Sequence, residues 1–153
     1  MPIDPSQDIR DRAFAFSCLI VRLARNARPG AGAVPIVNQL VRAGTSVGAN
    51  LEEAKAASTR REFVRYVEIS LRSARETVYW LRICRSVALI DENVDVAIAE
   101  GDQITRILAA IVISTKRRMI GGMMLFAFCI LHSAFCTSHY CALIQHKIRA
   151  CPG

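Results

Sequence analysis

As far as Arg118, apolar side chains recur at steps of three and four, the spacing of helices with one buried face. Over residues 8–27 they fall at Ile9, Ala13, Phe16, Ile20, Leu23 and Ala27. Asp4-Pro5 supplies a cap and a favourable first-turn proline, which allows this helix to begin there. Pro29, Gly30 and Gly32 break it. A second helix is predicted from Pro35 to about Ala57, with Leu40, Ala43, Val47, Leu51 and Ala54 inward. Thr59-Arg60-Arg61-Glu62 reads as a capping box and starts a third helix that runs to roughly Ala88. Its core arc is predicted at Phe63, Val67, Leu71, Ala74, Val78 and Leu81, with Tyr66, Ile69 and Trp80 on a smaller flank. Asp91 caps a fourth helix, striped by Val94, Ile98, Ile104, Ile107, Leu108 and Ile111. It is expected to end at Lys116-Arg117-Arg118, where cations suit the negative end of the dipole. Four amphipathic helices with short connections predict an all-α, antiparallel up-down-up-down four-helix bundle.

The second helix is unusual in its small residues. Gly44 and Gly48 each cost about 1 kcal/mol against alanine in a helix interior. With Ala43, Ser46 and Ala49 beside them, close approach by a neighbouring helix is the expected compensation. The alternative is a break near Gly44.

The block from Gln39 to Leu81, QLVRAGTSVGANLEEAKAASTRREFVRYVEISLRSARETVYWL, resembles the "four helix bundle protein" family. That family is named for intervening sequences in bacterial 23S ribosomal RNA genes. The matching positions are Gln39, Leu40, Arg42, Ala43, Ser46, Asn50 and Glu53, then Ser58 or Thr59, and later Phe63, Glu76, Tyr79, Trp80 and Leu81. The resemblance covers roughly residues 8–118. It implies a helical bundle that assembles into a ring-like homopentamer without established enzymatic activity, and nucleic-acid association has been proposed for the family. The accessory proteins of diversity-generating retroelements are a related group that works beside a reverse transcriptase.

Two sets of polar residues are candidates for function. Arg42, Ser46 and Asn50 are spaced i, i+4, i+8 and Glu53 lies three beyond, so all share one helix edge. A polar line in a small-residue helix suggests hydrogen bonds to a neighbouring helix or subunit, with Arg42 pairing Glu53 or Glu76. Structural glue is favoured over a ligand site. On the third helix, Arg61, Arg65, Arg72, Arg75 and Arg82 share the arc opposite the core, with Tyr79 among them. Such an arc suits a phosphate backbone, and the tyrosine offers a stacking surface for an unpaired base. Against this, Glu68 and Glu76 interrupt the arginines as on an ordinary solvated helix.

Charge leaves both readings open. Up to Arg118 there are 18 Lys and Arg against 13 Asp and Glu, and Lys147 and Arg149 complete a net charge of +7. Enzyme chemistry is not expected, because there is no Gly-rich phosphate loop and no nucleophile elbow, and all three histidines (His132, His139, His146) follow the bundle. Glu52 and Glu53 are adjacent and diverge by about 100°. No cofactor or metal is implied for the bundle. Cys18 and Cys84 read as reduced core cysteines of a cytoplasmic protein, since MPIDPSQDIRDR lacks the pattern of a secretory signal.

The division expected is a bundle domain over 1–118 and an extension over 119–153 without a family counterpart. The extension is apolar, rich in Cys and His, and carries no formal charge from Met119 to Gln145. Met123 to Ile144 is 22 residues, long enough to span a membrane, but histidines, hydroxyls and Gly121-Gly122 dilute that signal and the membrane reading is disfavoured. Cys129-x-x-His132 and Cys136-x-x-His139 hold metal-ligand types at too short a separation for an ordinary zinc site. A disulfide framework lacks an oxidising context, and an incidental appendage fits the irregular pattern best. The function expected is a non-enzymatic homo-oligomer that contacts RNA or DNA through the third helix. The alternative is a structural oligomeric scaffold for a protein partner.

Overall fold

The computed structural model describes residues 8–28, 30, 32–90 and 93–120, and four helices hold most of these. They are α1 (Ile9–Arg25), α2 (Ala33–Ala56), α3 (Arg60–Ser86) and α4, which is helical from 94 to 120. The chain divides into two compact units after Thr115, and of the second only 116–120 is described. Asp4-Pro5, Asp91 and the whole segment 121–153, with its membrane, metal and appendage readings, lie outside the described residues. Within them, no helix is long and apolar enough to cross a membrane.

Each helix begins and ends for a local reason. Asp8, rather than Asp4, caps α1: its carboxylate accepts from the Arg10 N–H at 3.0 Å and from the Arg10 guanidinium at 2.7 Å. Those two interactions, the side-chain one larger, hold the Asp8 carboxyl below its usual range. α2 starts two residues ahead of Pro35, from Gly32 in the left-handed region at φ +84. At α3, Thr59 Oγ1 accepts from the Glu62 N–H at 3.1 Å. The returning bond goes from the Ser58 N–H to Glu62 Oε2 at 3.0 Å, one residue earlier than a reciprocal box requires. α3 stops at Ser86, two residues before the expected Ala88, in a Schellman turn. There Leu89 N–H reaches Cys84 O at 2.8 Å and Ala88 N–H reaches Arg85 O at 3.1 Å, with Ala88 at φ +50. α4 does not end at Lys116-Arg117-Arg118 but continues through them to 120.

Neighbouring helices are antiparallel and close into a ring of four. α2 packs on both α1 and α3. Arg12 on α1 meets Glu100 on α4, while Arg85 and Arg82 on α3 meet Asp95 and Asp102. The core holds Phe16, Ile20, Leu40, Val47, Val67, Leu81, Ile104 and Leu108, all fully buried. The five inward positions expected for α2 are buried, and the helix runs unbroken through Gly44. The compensating close approach is by α1: a Cβ on Gly44 would lie 2.7 Å from Ile20 Cγ2. Gly101 on α4 does the same for α3, where a Cβ would lie 2.6 Å from Val78 Cγ2.

The buried arc of α3 is rotated from the one expected. Phe63 and Leu71 are only half-buried, whereas Ser70, Ser73, Thr77 and Cys84 are buried. Their small side chains let α3 sit close to α2. Each hydroxyl finds a partner: Ser70 donates to Val47 O at 2.8 Å, Ser73 to Ser46 Oγ at 3.1 Å and Thr77 to Ser73 O at 2.7 Å. A buried hydroxyl satisfied in this way escapes the desolvation penalty that keeps most polar groups outside.

Candidate nucleic-acid interface

With Ser70, Ala74, Thr77 and Leu81 turned inward, the opposite side of α3 faces solvent. Arg61, Arg65, Arg72, Arg75, Arg82 and Tyr79 are all exposed on it, Tyr79 at 58%. From Arg61 to Arg82 the helix rises roughly 30 Å at 1.5 Å per residue. Arg61, Arg65 and Arg75 make no ion pair with a described residue. Arg82 lies 3.7 Å from Asp102 on α4, and Arg72 Nε donates weakly to the backbone oxygen of Glu68 at 3.4 Å. Glu68 is half-buried and engaged.

Glu76, offered by the sequence both to the arginine arc and to Arg42, is turned to α2. Its carboxylate accepts from Arg42 Nη2 at 3.0 Å and from Trp80 Nε1 at 3.4 Å. Tyr79 and Trp80 meet edge-on, with ring centroids 5.2 Å apart and an interplanar angle of 67°. The half-buried indole thereby props one edge of the exposed tyrosine, whose remaining surface is open to a flat ligand.

The polar line of α2 runs along the α2–α3 seam. Arg42 bridges to Glu76 and also donates to Gln39 Oε1 at 3.0 Å. Asn50 Nδ2 donates to Ser46 O at 2.7 Å and to Ser46 Oγ at 2.9 Å, and that hydroxyl in turn receives Ser73. Glu53 stays exposed and is not drawn into the line. The Arg42–Glu76 pair is largely solvated, 70% and 40% exposed, so it contributes at most about 1 kcal/mol.

One polar cluster gave no recognised signal in the sequence. Arg12, 4% exposed, forks onto Glu100: Nε to Oε1 at 3.0 Å and Nη2 to both carboxylate oxygens at 2.8 Å. Its Nη2 also reaches Gln103 Oε1 at 3.1 Å. The available sign was a charge at a stripe position on each helix, Arg12 between Ile9 and Phe16, Glu100 between Ala97 and Ile104. Among the described residues no group of His, Cys, Asp and Glu could hold a metal ion. Burial pushes the Cys84 thiol above its usual range, which disfavours the thiolate there.

The model of the 23S rRNA-intervening sequence protein family matches residues 6–110. The chain belongs to that family. Six chains of known structure match this member of the 23S rRNA-intervening sequence family. One is a protein of unknown function from the S23 ribosomal protein family of Bacteroides thetaiotaomicron. It is 28% identical, with a TM-score of 0.60, over 69% of this chain and 98% of its own. No curated protein matches. Neither the family's description nor that of the solved relative carries an enzymatic activity.

Proposed function

We propose that this family member is a non-enzymatic, homo-oligomeric bundle that binds a single nucleic-acid strand along α3. The observation that carries the reading is the exposed row of five arginines with Tyr79 among them, four of the arginines without an ion pair to a described residue. Guanidinia spread along this face can reach phosphates at several points of an extended strand, and the tyrosine stacks a base. Repetition of the face around an oligomer, five-fold by the family resemblance, turns weak contacts into avidity.

The test is fluorescence anisotropy of labelled RNA and single-stranded DNA against the full chain, titrated across salt. Five phosphate contacts on one strand give a slope of about −3.5 in log K against log salt. Charge reversal by Arg65→Glu with Arg72→Glu should abolish binding. Affinity that survives the reversal refutes the placement on α3. Absence of binding at low salt retires the nucleic-acid reading and leaves an oligomeric scaffold for a protein partner.

A further inference from the structure

A row of guanidinium groups attracts any polyanion, so discrimination on the α3 face has to come from its exposed aromatic ring, Tyr79. A base gains from stacking on that ring only after the cost of holding the ring still has been met. A chain of contacts holds it beforehand. The Trp80 indole meets the ring edge-on with centroids 5.2 Å apart. The indole Nε1 donates to Glu76 Oε1 at 3.4 Å, a long bond for such a donor. What fixes the carboxylate is its other donor, Arg42 Nη2, which reaches the same oxygen from α2 at 3.0 Å. Arg42 is steadied in turn by Gln39, whose Oε1 accepts from the Arg42 Nε at 3.0 Å. The chain of contacts thus runs from α2 to the tyrosine without using any arginine of the α3 row.

The placement of the charges leaves that prop clear of a bound strand. At about 100° per residue, Arg75 and Arg82 fall on one side of Tyr79 and Trp80 on the other. Arg75 stands one turn before the tyrosine and Arg82 one turn after it, and Arg75 makes no ion pair with a described residue. Phosphates drawn to those two arginines pass the open side of the ring, with the indole behind it. A base of the same strand then meets a ring whose orientation is already set. In a duplex the bases are stacked on one another, and a strand without bases has nothing to stack.

We infer that Arg42, Glu76 and Trp80 are positioning residues that set Tyr79 for stacking, and that they make the α3 face selective for strands with unpaired bases over duplex or base-free polyanions. The inference rests on α3 as the nucleic-acid face, and its test separates the two.

Two variants of Glu76 carry the same change of charge and differ only in the prop. Glu76→Gln keeps an oxygen that accepts from Arg42 and Trp80, and Glu76→Ala does not. Affinities of the full chain for a short oligo(dT) and for a wholly abasic strand of equal length are read by fluorescence anisotropy of a label on the strand. Wild type should prefer oligo(dT) by roughly five- to hundredfold, the worth of a stacked base, and Tyr79→Ala should abolish the preference. Glu76→Ala should cut it by about two- to tenfold, the cost of immobilising one side chain, while Glu76→Gln retains it. Without any strand, the emission anisotropy of Trp80, the only tryptophan of the chain, should fall in Glu76→Ala and hold in Glu76→Gln. No preference in wild type, a full preference in Glu76→Ala, or an equal loss in both Glu76 variants overturns the prop while the α3 reading stands. Unchanged Trp80 anisotropy in Glu76→Ala overturns it too, whatever the strand affinities. Failure of the α3 reading shows itself differently: neither strand binds wild type at low salt, and the role of the prop in selection falls with it.

Discussion

Replacing Gly44 by alanine places a methyl carbon 2.7 Å from Ile20 Cγ2, 2.9 Å from Cγ1 and 3.0 Å from Cβ. Ordinary contacts of this kind lie at 3.4–4 Å. Ile20 cannot yield: it is fully buried, and a β-branched side chain in a helix is held to one rotamer. The two helix axes must separate instead, an overpacking cost of about 1–3 kcal/mol, against a gain of about 1 kcal/mol in helix propensity. At Gly48 the same methyl meets Ser17 Oγ at 3.3 Å and Ala13 O at 3.5 Å, where a shift of a few tenths of an ångström suffices. There the propensity gain is nearly uncompensated. Gly48→Ala should therefore be neutral or more stable than wild type, and Gly44→Ala less stable by about 1–2 kcal/mol. In a bundle of this size that separates their melting temperatures by roughly 5–15 °C, read by circular dichroism. Ile20→Ala combined with Gly44→Ala should cost less than the two single changes added. A Gly44→Ala protein as stable as Gly48→Ala would refute the close-approach account.

Other outcomes follow from the buried and capped groups. Arg12→Met leaves Glu100 buried without its guanidinium and should cost about 3–5 kcal/mol in urea unfolding, while Arg12→Met with Glu100→Leu should recover most of it; a double variant no more stable than the single one would contradict this. Ala88→Gly relieves an alanine held at φ +50 and should stabilise by about 0.5–1 kcal/mol, measured as a rise in unfolding midpoint. Cys84, fully buried, should be alkylated in native protein only through unfolding, so peptide mapping should find it modified later than the half-buried Cys18. Asp8 has its carboxyl lowered below the ordinary 3.8 by Arg10, so its contribution is complete above that value and lost as pH falls through the lowered one. The gap in urea midpoint between wild type and Asp8→Ala should hold steady down to about pH 4 and narrow below it.

Much of the bundle was legible in sequence because its signals are local. Leu40, Ala43, Val47, Leu51 and Ala54 mark the α2 face by period alone, and the cost of Gly44 and Gly48 announces that something comes close. That α1 rather than α3 fills the space depends on the pairing of distant helices, which period does not carry. Hydropathy also treats hydroxyls as polar, so Ser70, Ser73 and Thr77 were left out of the core, although each can donate within its own helix or to the next. Exposure of the α3 arginines followed from placing the arc opposite the core. The partners of the charges followed only in part: Arg42 with Glu76 was one of the two pairs expected, whereas the contact of Glu76 with Trp80 and the pairing of Arg82 with Asp102 on another helix were not.

The Arg12–Glu100 fork joins residues 88 apart in sequence. A ribosome adding 5–20 residues per second needs roughly 4–18 s to make Glu100 after Arg12 has been joined. Until then the buried partner of Arg12 has not been made, and any packing of the first three helices that buries Arg12 carries the desolvation cost of a charge without its carboxylate. The last helix therefore sets the order of assembly: closing the nascent bundle before its counter-charge arrives carries that penalty, and closing it afterwards does not.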